Sequence, residues 1–169
     1  VATAGDVNDD GYADVIVGAP GYGNGQLFEG GAFVYPGSAS GLSASPTWIA
    51  ESDQVGAAFG GSVAPAGDIN GDGYADVIIS AYGYDNGQTD EGRAYVYLGS
   101  AAGLATSPAW ITEGDQASAW FGTSVATAGD VNGDGYADVI IGAYAYDNGQ
   151  TDEGRALVYL GSAAGLATS

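Results

Sequence analysis

The chain has 169 residues, of which 21 are acidic and 2 are basic, so its formal net charge is −19. Nucleic acid is excluded as a natural partner because phosphate neutralisation requires clustered lysine and arginine. Binding to an anionic membrane surface is disfavoured for the same reason. With 46% apolar and 14% charged residues, the chain is too hydrophobic to be a disordered acidic tail, and a packed core is expected.

The residue types that are missing remove several kinds of chemistry. The chain contains no cysteine and no histidine, so disulfides, thiolate nucleophiles, zinc sites built on these residues and Ser-His-Asp catalysis are excluded. Carboxylate chemistry remains, and neither catalytic residues nor an organic cofactor are predicted. Because the chain has no apolar run of about 18 residues, we expect a soluble segment, processed or trimmed from a longer protein.

An internal repeat dominates the sequence. The segment AGDVNDDGYADVIVGA begins at Ala4, and close copies begin at Ala66 and Ala128, 62 residues apart each time. Residues 68–107 and 130–169 are nearly identical, whereas the first copy has diverged further. One structural unit is therefore used three times. We place the three copies at residues 1–58, 59–120 and 121–169.

Four short strands are predicted in each copy. In the second copy they are residues 62–66, residues 75–81 with an apolar Val-Ile-Ile centre, residues 93–98 with alternating bulky and small side chains, and residues 109–112. Glycine-rich turns such as residues 99–108 separate the strands, and glycine occurs too often for helices to persist. This pattern is typical of a β-propeller blade, so the predicted fold is all-β, with about three blades of four antiparallel strands.

Short motifs mark each copy. Phe59-Gly60 and Phe121-Gly122 begin the second and third copies, and Gly18-Ala19-Pro20 ends the buried strand of the first. With an aspartate-rich loop, these residues resemble the FG-GAP repeat of the integrin α-chain β-propeller and its bacterial relatives. The resemblance covers essentially the whole chain and implies a calcium-binding propeller. The first copy lacks its Phe-Gly, and Ser80-Ala81-Tyr82 and Gly142-Ala143-Tyr144 lack the proline.

Every copy contains the pattern Asp-x-Asn-x-Asp-Gly-x-x-Asp. Ca²⁺ takes about six to eight oxygen ligands in flexible geometry, whereas Mg²⁺ demands a stricter octahedron, and oxygens on alternate residues of a curled loop converge on one point. The glycine permits the turn, the seventh residue offers its backbone carbonyl, and the ninth aspartate closes the shell with both oxygens. Three intact copies disfavour the alternative of simple turn formation. We predict about three Ca²⁺, one per repeat, with these ligands: Asp6, Asn8, Asp10, Tyr12 and Asp14; Asp68, Asn70, Asp72, Tyr74 and Asp76; Asp130, Asn132, Asp134, Tyr136 and Asp138.

A second acidic stretch spans residues 85–92 and recurs at residues 147–154. Three interpretations stay open: a second cation loop, a sugar-contacting loop and an ordinary solvated turn. We favour the solvated turn because the first copy keeps few of these residues. Arg93 and Arg155 follow the two stretches and are expected to form structural ion pairs with a nearby glutamate or an adjacent blade.

Aromatic side chains also recur with the repeat, and they fit either inter-blade packing or a carbohydrate-stacking platform. Five of them are expected in the core: Trp48, Trp110, Trp120, Phe59 and Phe121. Four tyrosines beside polar loops fit both interpretations equally: Tyr82, Tyr84, Tyr144 and Tyr146.

Three blades cannot close a ring, since propellers have about four to eight. The third copy lacks the equivalent of residues 108–124, 17 residues that include the fourth strand. We therefore expect a part of a longer array, disordered ends, or a neighbouring molecule that supplies the missing contacts. Head-to-tail self-association would give a closed ring, six-bladed for two chains, or an open filament, whereas the resemblance implies seven blades.

These features together favour a non-enzymatic, calcium-stabilised module that is extracellular or at the cell surface. Adhesion is implied by the resemblance, and structural or filament assembly by the repeats, with a surface protein or a glycan as a possible partner. The absence of cysteine suits a bacterial secreted protein. The alternative is a glycan-binding β-propeller lectin. A glycoside hydrolase scaffold is disfavoured because the calcium loops contain almost every clustered acid.

Overall fold

A computed structural model of the chain describes residues 1–167; residues 168 and 169, which end the third predicted copy, lie outside the described part. The described residues form eleven β-strands and no helix, which confirms the predicted all-β class. The strands in chain order are β1 (Ala2–Gly5), β2 (Asp14–Ala19), β3 (Gly31–Tyr35), β4 (Trp48–Glu51), β5 (Phe59–Gly67), β6 (Asp76–Ala81), β7 (Arg93–Tyr97), β8 (Trp110–Glu113), β9 (Phe121–Gly129), β10 (Asp138–Ala143) and β11 (Arg155–Tyr159).

The strands form three antiparallel sheets, each a meander of consecutive strands. The first sheet contains β1 to β4 and the second contains β5 to β8, so both have the four strands predicted for a blade. The third sheet contains β9, β10 and β11 within residues 1–167. The architecture is that of consecutive propeller blades, in which each sheet packs face to face on the next.

The first strand of each later repeat is longer than its sequence pattern predicts. We expected residues 62–66, but β5 begins at Phe59 and includes the Phe-Gly pair. Gly60 has a φ of +79°, a region that favours glycine, and a Cβ at this position would clash with the carbonyl oxygen of Gly31 in the first sheet. The Phe-Gly pair is therefore a point of close backbone approach between neighbouring sheets.

The central sheet is covered on both faces. All six residues of β6 are buried, as its apolar run predicts. Val77 and Ile79 belong to the core between the first and second sheets. Ile78 and Val96 belong to the core between the second and third sheets. Because successive side chains of a strand point to opposite faces, one short strand contributes to both cores.

The predicted core positions of four large aromatic residues are confirmed. Phe59, Phe121, Trp48 and Trp110 are buried. The Trp48 ring meets the Tyr97 ring of the second sheet edge to face, with 4.9 Å between centroids. Aromatic pairs of this kind stabilise the contact between sheets beyond the area that they bury.

The predicted core position of Trp120 is wrong. Its side chain is 42% exposed and lies between the rings of Tyr82 and Tyr144, at centroid distances of 6.4 Å and 6.2 Å. The turn that carries Phe121 into the core leaves the neighbouring Trp120 outside, with a φ of +50°. Of these two adjacent aromatic residues, Phe121 is therefore buried and Trp120 is exposed.

Candidate metal centre

The three aspartate-rich loops occupy the same place in the three sheets, as the repeat predicts. They join β1 to β2, β5 to β6 and β9 to β10. The ninth residue of the pattern is the first residue of the second strand in each hairpin: Asp14, Asp76 and Asp138. All three of these carboxylates are buried, whereas the loop tips are exposed.

In the second loop, backbone amides hold the side chains of alternate residues inward. Asp68 Oδ1 accepts hydrogen bonds from the amides of Gly71 (2.7 Å) and Asp72 (3.1 Å), and its Oδ2 accepts one from Gly73 (2.8 Å). Asn70 Oδ1 also accepts from the Asp72 amide at 3.1 Å. These hydrogen bonds turn Asp68 and Asn70 onto the backbone of one tight turn. Among residues 1–167, Asp68, Asp72 and Asp76 do not form a group whose carboxylate oxygens all lie within 4.8 Å of one another, so a shared cation would have to draw the loop closer together.

Asp76 closes the same loop from the strand side. Its Oδ2 accepts from the Ile69 amide at 3.0 Å, and its Oδ1 accepts from the Gly99 amide at 2.9 Å. A carboxylate offers about four acceptor positions, so acceptor capacity remains for a cation. Burial raises the pKa of Asp76 to about 6, and the nearby charges of Asp72 and Asp68 add to the rise, against the lowering effect of the two amide hydrogen bonds.

The third loop repeats this arrangement in a more exposed setting. Asp138 accepts from the amides of Val131 (2.7 Å) and Gly161 (2.8 Å). Hydrogen bonds from backbone amides, that of Gly135 above all, lower the pKa of Asp130. Asp130, the first predicted ligand of this loop, is therefore held in its charged form by the curled backbone itself.

The residues fit Ca²⁺ by the chemistry of their donors. Every side chain gathered in the loop offers oxygen, the donor that hard divalent cations take. Asp76 is a desolvated carboxylate beside two further carboxylates, and a cation would remove their mutual repulsion. The backbone carbonyls of Tyr12, Tyr74 and Tyr136 stay predicted ligands.

Comparison with models of known protein families shows which family the chain belongs to. The FG-GAP repeat matches residues 1–35, 59–97 and 121–159, which together are more than half of the sequence. The chain belongs to the FG-GAP repeat family. The resemblance carried by the Phe-Gly pairs and the aspartate loops is thereby confirmed.

Proteins similar to this chain include integrin alpha chains. Integrin alpha-IIb of Mus musculus is 37% identical over 148 residues, which cover 82% of this chain and 14% of the relative. Integrin alpha-V of Gallus gallus is 33% identical over 174 residues, covering 96% of this chain and 16% of the relative. The chain thus spans less than a fifth of the length of these relatives. Within residues 1–167 there is no helix that could cross a membrane.

The first and second aspartate loops also dock on the FG-GAP repeat that follows each of them. The Asp6 carbonyl oxygen accepts from the Ala75 amide at 3.1 Å, and the Val7 carbonyl oxygen accepts from the Ser100 amide at 3.0 Å. Two equivalent bonds join the second loop to the third sheet: Ala137 N–H to Asp68 O at 3.0 Å and Ser162 N–H to Ile69 O at 3.1 Å. The loops are therefore part of the contact between repeats.

Sequence reasoning missed this docking, because the glycine at the contact also occurs as Gly37 in the first repeat, where it accommodates the carbonyl oxygen of Ala13 in its own loop. A Cβ at Gly99 would lie 2.5 Å from the carbonyl oxygen of Ala75 and 2.7 Å from that of Val7. Ala75 belongs to the same repeat as Gly99, and Val7 belongs to the preceding loop, so only glycine lets the chain pass between the two. Glycine recurs at the matching position of the third repeat, Gly161, where a Cβ would lie 2.9 Å from the carbonyl oxygen of Ile69.

The second acidic stretch is more ordered than the solvated turn that we favoured. Asp85 is exposed, but its backbone amide and carbonyl both bond to the Gln54 side chain of the preceding repeat, at 2.7 Å and 2.8 Å. Glu91 is buried and accepts from the Asn86 amide at 2.5 Å. The following sheet covers it, since the Phe121 amide donates to the Glu91 carbonyl oxygen at 3.1 Å.

The ion pair predicted for the first arginine is confirmed. Arg93 pairs with Glu113, which lies directly opposite it on β8. Its guanidinium carbon also lies 3.7 Å from the centroid of the Tyr84 ring. Arg155 lies 5.0 Å from the Tyr146 ring, and within residues 1–167 it has no carboxylate partner.

Calcium-dependent stabilisation is expected to weaken as the pH falls through about 6. Without metal, the raised pKa of Asp76 means that the fold favours the protonated carboxyl. Its contribution to the free energy of unfolding is complete below pH 3.8, the ordinary pKa, and is lost as the pH rises through about 6. With metal, the carboxylate must be ionised, so protons compete with Ca²⁺. Melting temperatures in CaCl₂ and in EDTA should differ more at pH 7.5 than at pH 5, and an equal difference at both pH values would contradict this.

Proposed function

We propose that the chain is a non-enzymatic, calcium-stabilised extracellular module of a cell-surface adhesion or structural assembly, in which each FG-GAP repeat binds one Ca²⁺. The observation that carries this proposal is the aspartate loop, repeated three times with buried ninth-position carboxylates. Similarity to integrin alpha chains supports the adhesive role. The acidic surface suits a calcium-rich extracellular environment, where it keeps the protein soluble.

The proposed role of the cation is structural. In the second repeat it would neutralise Asp68, Asp72 and Asp76 and hold the loop closed. The same loop presents its backbone carbonyls to Ala137 and Ser162 of the third sheet. Calcium would therefore stabilise the contact between repeats as well as the hairpin that binds it.

Calcium titration by calorimetry tests the proposal through single loop variants. Asp10→Ala, Asp72→Ala and Asp134→Ala are each expected to reduce the number of bound Ca²⁺ by one relative to the unaltered chain. Thr106→Ala, at an exposed position outside the aspartate loops and the second acidic stretch, is the control and should leave the number unchanged. If the loop variants bind as much calcium as the control, the proposal is wrong.

An exposed apolar face supports self-association as a second proposal. Val131 is 57% exposed, whereas its equivalents Val7 and Ile69 are 4% and 1% exposed because a following repeat covers them. Val158 is 48% exposed, whereas its equivalent Val96 is fully buried. We propose that a further FG-GAP repeat, from a longer chain or from a second copy arranged head to tail, covers this face.

Sedimentation equilibrium in CaCl₂ is expected to show mass increasing with concentration. Val158→Glu should reduce association at least tenfold because it places a charge in an apolar contact. Val55→Glu, at a position 64% exposed in a turn of the first repeat, is the control and should associate normally. A monomer at every concentration would exclude head-to-tail contact, and electron microscopy would separate rings from filaments.

The glycan-binding alternative gains no support from the similar proteins. Phe59, Phe121, Trp48 and Trp110, four of the aromatic residues considered for a sugar platform, are buried in packing contacts.

A further inference from the structure

The two contacts between neighbouring sheets are built from equivalent residues, but they differ at one core position. Tyr95 on β7 belongs to the core between the first and second sheets. Its repeat equivalent on β11, Leu157, packs against the core between the second and third sheets. The aromatic pair beside this position is the same in both contacts, with ring centroids 4.9 Å and 4.8 Å apart: Trp48–Tyr97 and Trp110–Tyr159. Leucine therefore replaces tyrosine in an otherwise repeated setting.

In the first contact the tyrosine ring fills its place. Tyr95 is 7% exposed, and its ring meets the Phe59 ring edge to face, with 5.2 Å between centroids. The guanidinium carbon of Arg93 lies 5.9 Å from the centroid of the Tyr95 ring. Burial raises the pKa of the Tyr95 hydroxyl, and the nearby charge of Arg93 opposes this rise. A phenol ring that contacts a phenylalanine and lies beside a guanidinium therefore occupies this position.

In the second contact the same place is a cavity of about 180 Å³. It is lined by the repeat equivalents of Tyr95 and its surroundings, together with the end of β8: Phe121, Tyr146, Arg155, Leu157, Tyr159 and residues 113–115. Because leucine is shorter than tyrosine, the space that the Tyr95 ring fills in the first contact is open in the second. A cavity of about 150 Å³ is enough to hold benzene, so this one has room for an aromatic ring.

A fourth strand on the third sheet would border this cavity without filling it. In the second sheet, β8 already lies beside the tyrosine position, with Ile111 opposite Tyr95 in the β7–β8 pair, and the Tyr95 ring still occupies its place. The guanidinium at the cavity also differs from its equivalent, because Arg93 pairs with Glu113 whereas Arg155 has no carboxylate partner within residues 1–167. Donor hydrogens of Arg155 are therefore available to a ligand.

We propose that this cavity binds a small neutral phenol, whose ring takes the place of the Tyr95 ring and whose hydroxyl oxygen accepts a hydrogen bond from Arg155. The ring would meet Phe121 edge to face, as Tyr95 meets Phe59. An anionic ligand is disfavoured because Glu113 and Asp115 also line the cavity. The site lies between two sheets, away from the aspartate loops, and does not depend on the proposed calcium sites.

Nuclear magnetic resonance titration with p-cresol, which is the tyrosine side chain as a free molecule, tests the proposal on the unaltered chain in CaCl₂. We expect p-cresol to shift the side-chain resonances of Phe121 and Leu157. Toluene has the same ring without the hydroxyl and should bind roughly tenfold more weakly, because it lacks the hydrogen bond to a charged group. Unshifted resonances at Phe121 and Leu157, or equal binding of toluene, would overturn the proposal.

Reciprocal substitutions at the differing position give an independent readout. Leu157→Tyr places a ring in the cavity, so it should raise the melting temperature and weaken p-cresol binding by about tenfold or more. Tyr95→Leu opens the equivalent cavity in the first contact, so it should melt at a lower temperature, bind a second p-cresol and regain part of the loss when p-cresol is added. Leu42→Tyr, the same substitution at a position that is 52% exposed, is the control and should bind p-cresol normally.

The number of bound p-cresol molecules separates the outcomes. One in the unaltered chain and two in Tyr95→Leu is the result expected from equivalent cavities. Undiminished binding in Leu157→Tyr would show that p-cresol occupies another part of the protein, and an unchanged number in Tyr95→Leu would show that the tyrosine ring does not mark the site. Either result would overturn the proposal, and the second remains measurable if Leu157→Tyr fails to fold.

Discussion

Removal of calcium with EDTA is expected to lower the melting temperature of the chain by about 10 °C. A site with a dissociation constant near 10⁻⁴ M contributes roughly 1.4 kcal/mol at millimolar calcium, so three loops contribute about 4 kcal/mol. For a domain of this size, each kcal/mol corresponds to roughly 2–4 °C in melting temperature. Differential scanning calorimetry in CaCl₂ and in EDTA measures the difference directly.

The loss of stability on calcium removal should be concentrated where the aspartate loops dock on the following repeat. Without the cation, the carboxylates of Asp68, Asp72 and Asp76 repel one another, and the loop that presents its carbonyls to Ala137 loosens. The amides that donate to these carbonyls should then exchange faster with deuterium, while those inside β6 should change least. An unchanged melting temperature together with unchanged exchange would show that the loops do not bind calcium structurally.

The repeat and its buried strands could be predicted from the sequence because the relevant signals are local. The apolar run at residues 75–81 corresponds to β6 within one residue, and the alternating run at residues 93–98 corresponds to β7 within one residue. Hydrophobic periodicity and glycine punctuation act over a few neighbouring residues. The aspartate pattern is equally local, since one short loop carries all its predicted ligands.

Contacts between sheets were not predictable in the same way. Glu91 lies in a stretch of polar residues typical of a solvated turn, yet it is buried because the third sheet covers it. Trp120 is a large aromatic residue of the kind expected in a core, yet it is exposed because the adjacent Phe121 takes the inward position. In both cases the packing of one sheet on another decides the outcome, through the cover over Glu91 and through the core that takes up Phe121, so tertiary packing overrides local propensity.

Phe121→Ala is expected to lower the free energy of unfolding by about 3–5 kcal/mol. Phe121 is 1% exposed and belongs to the core between the second and third sheets. A Cβ at Gly114 would lie only 2.8 Å from the Phe121 Cβ, so the ring fills a tightly enclosed site that cannot collapse around alanine. Urea denaturation in excess CaCl₂ measures the change while the metal sites stay saturated.

The adjacent tryptophan provides a matched control. Trp120→Ala removes a larger side chain one position away, but that side chain is 42% exposed, so we expect a loss below about 1 kcal/mol. If both substitutions cost the same, burial at the start of β9 does not determine stability. Phe59→Ala should cost as much as Phe121→Ala, because Phe59 is buried between the first and second sheets against the Tyr95 ring, at a centroid distance of 5.2 Å. Each Phe-Gly pair would then stabilise one contact between repeats, at the opposite end of its strand from the aspartate loop.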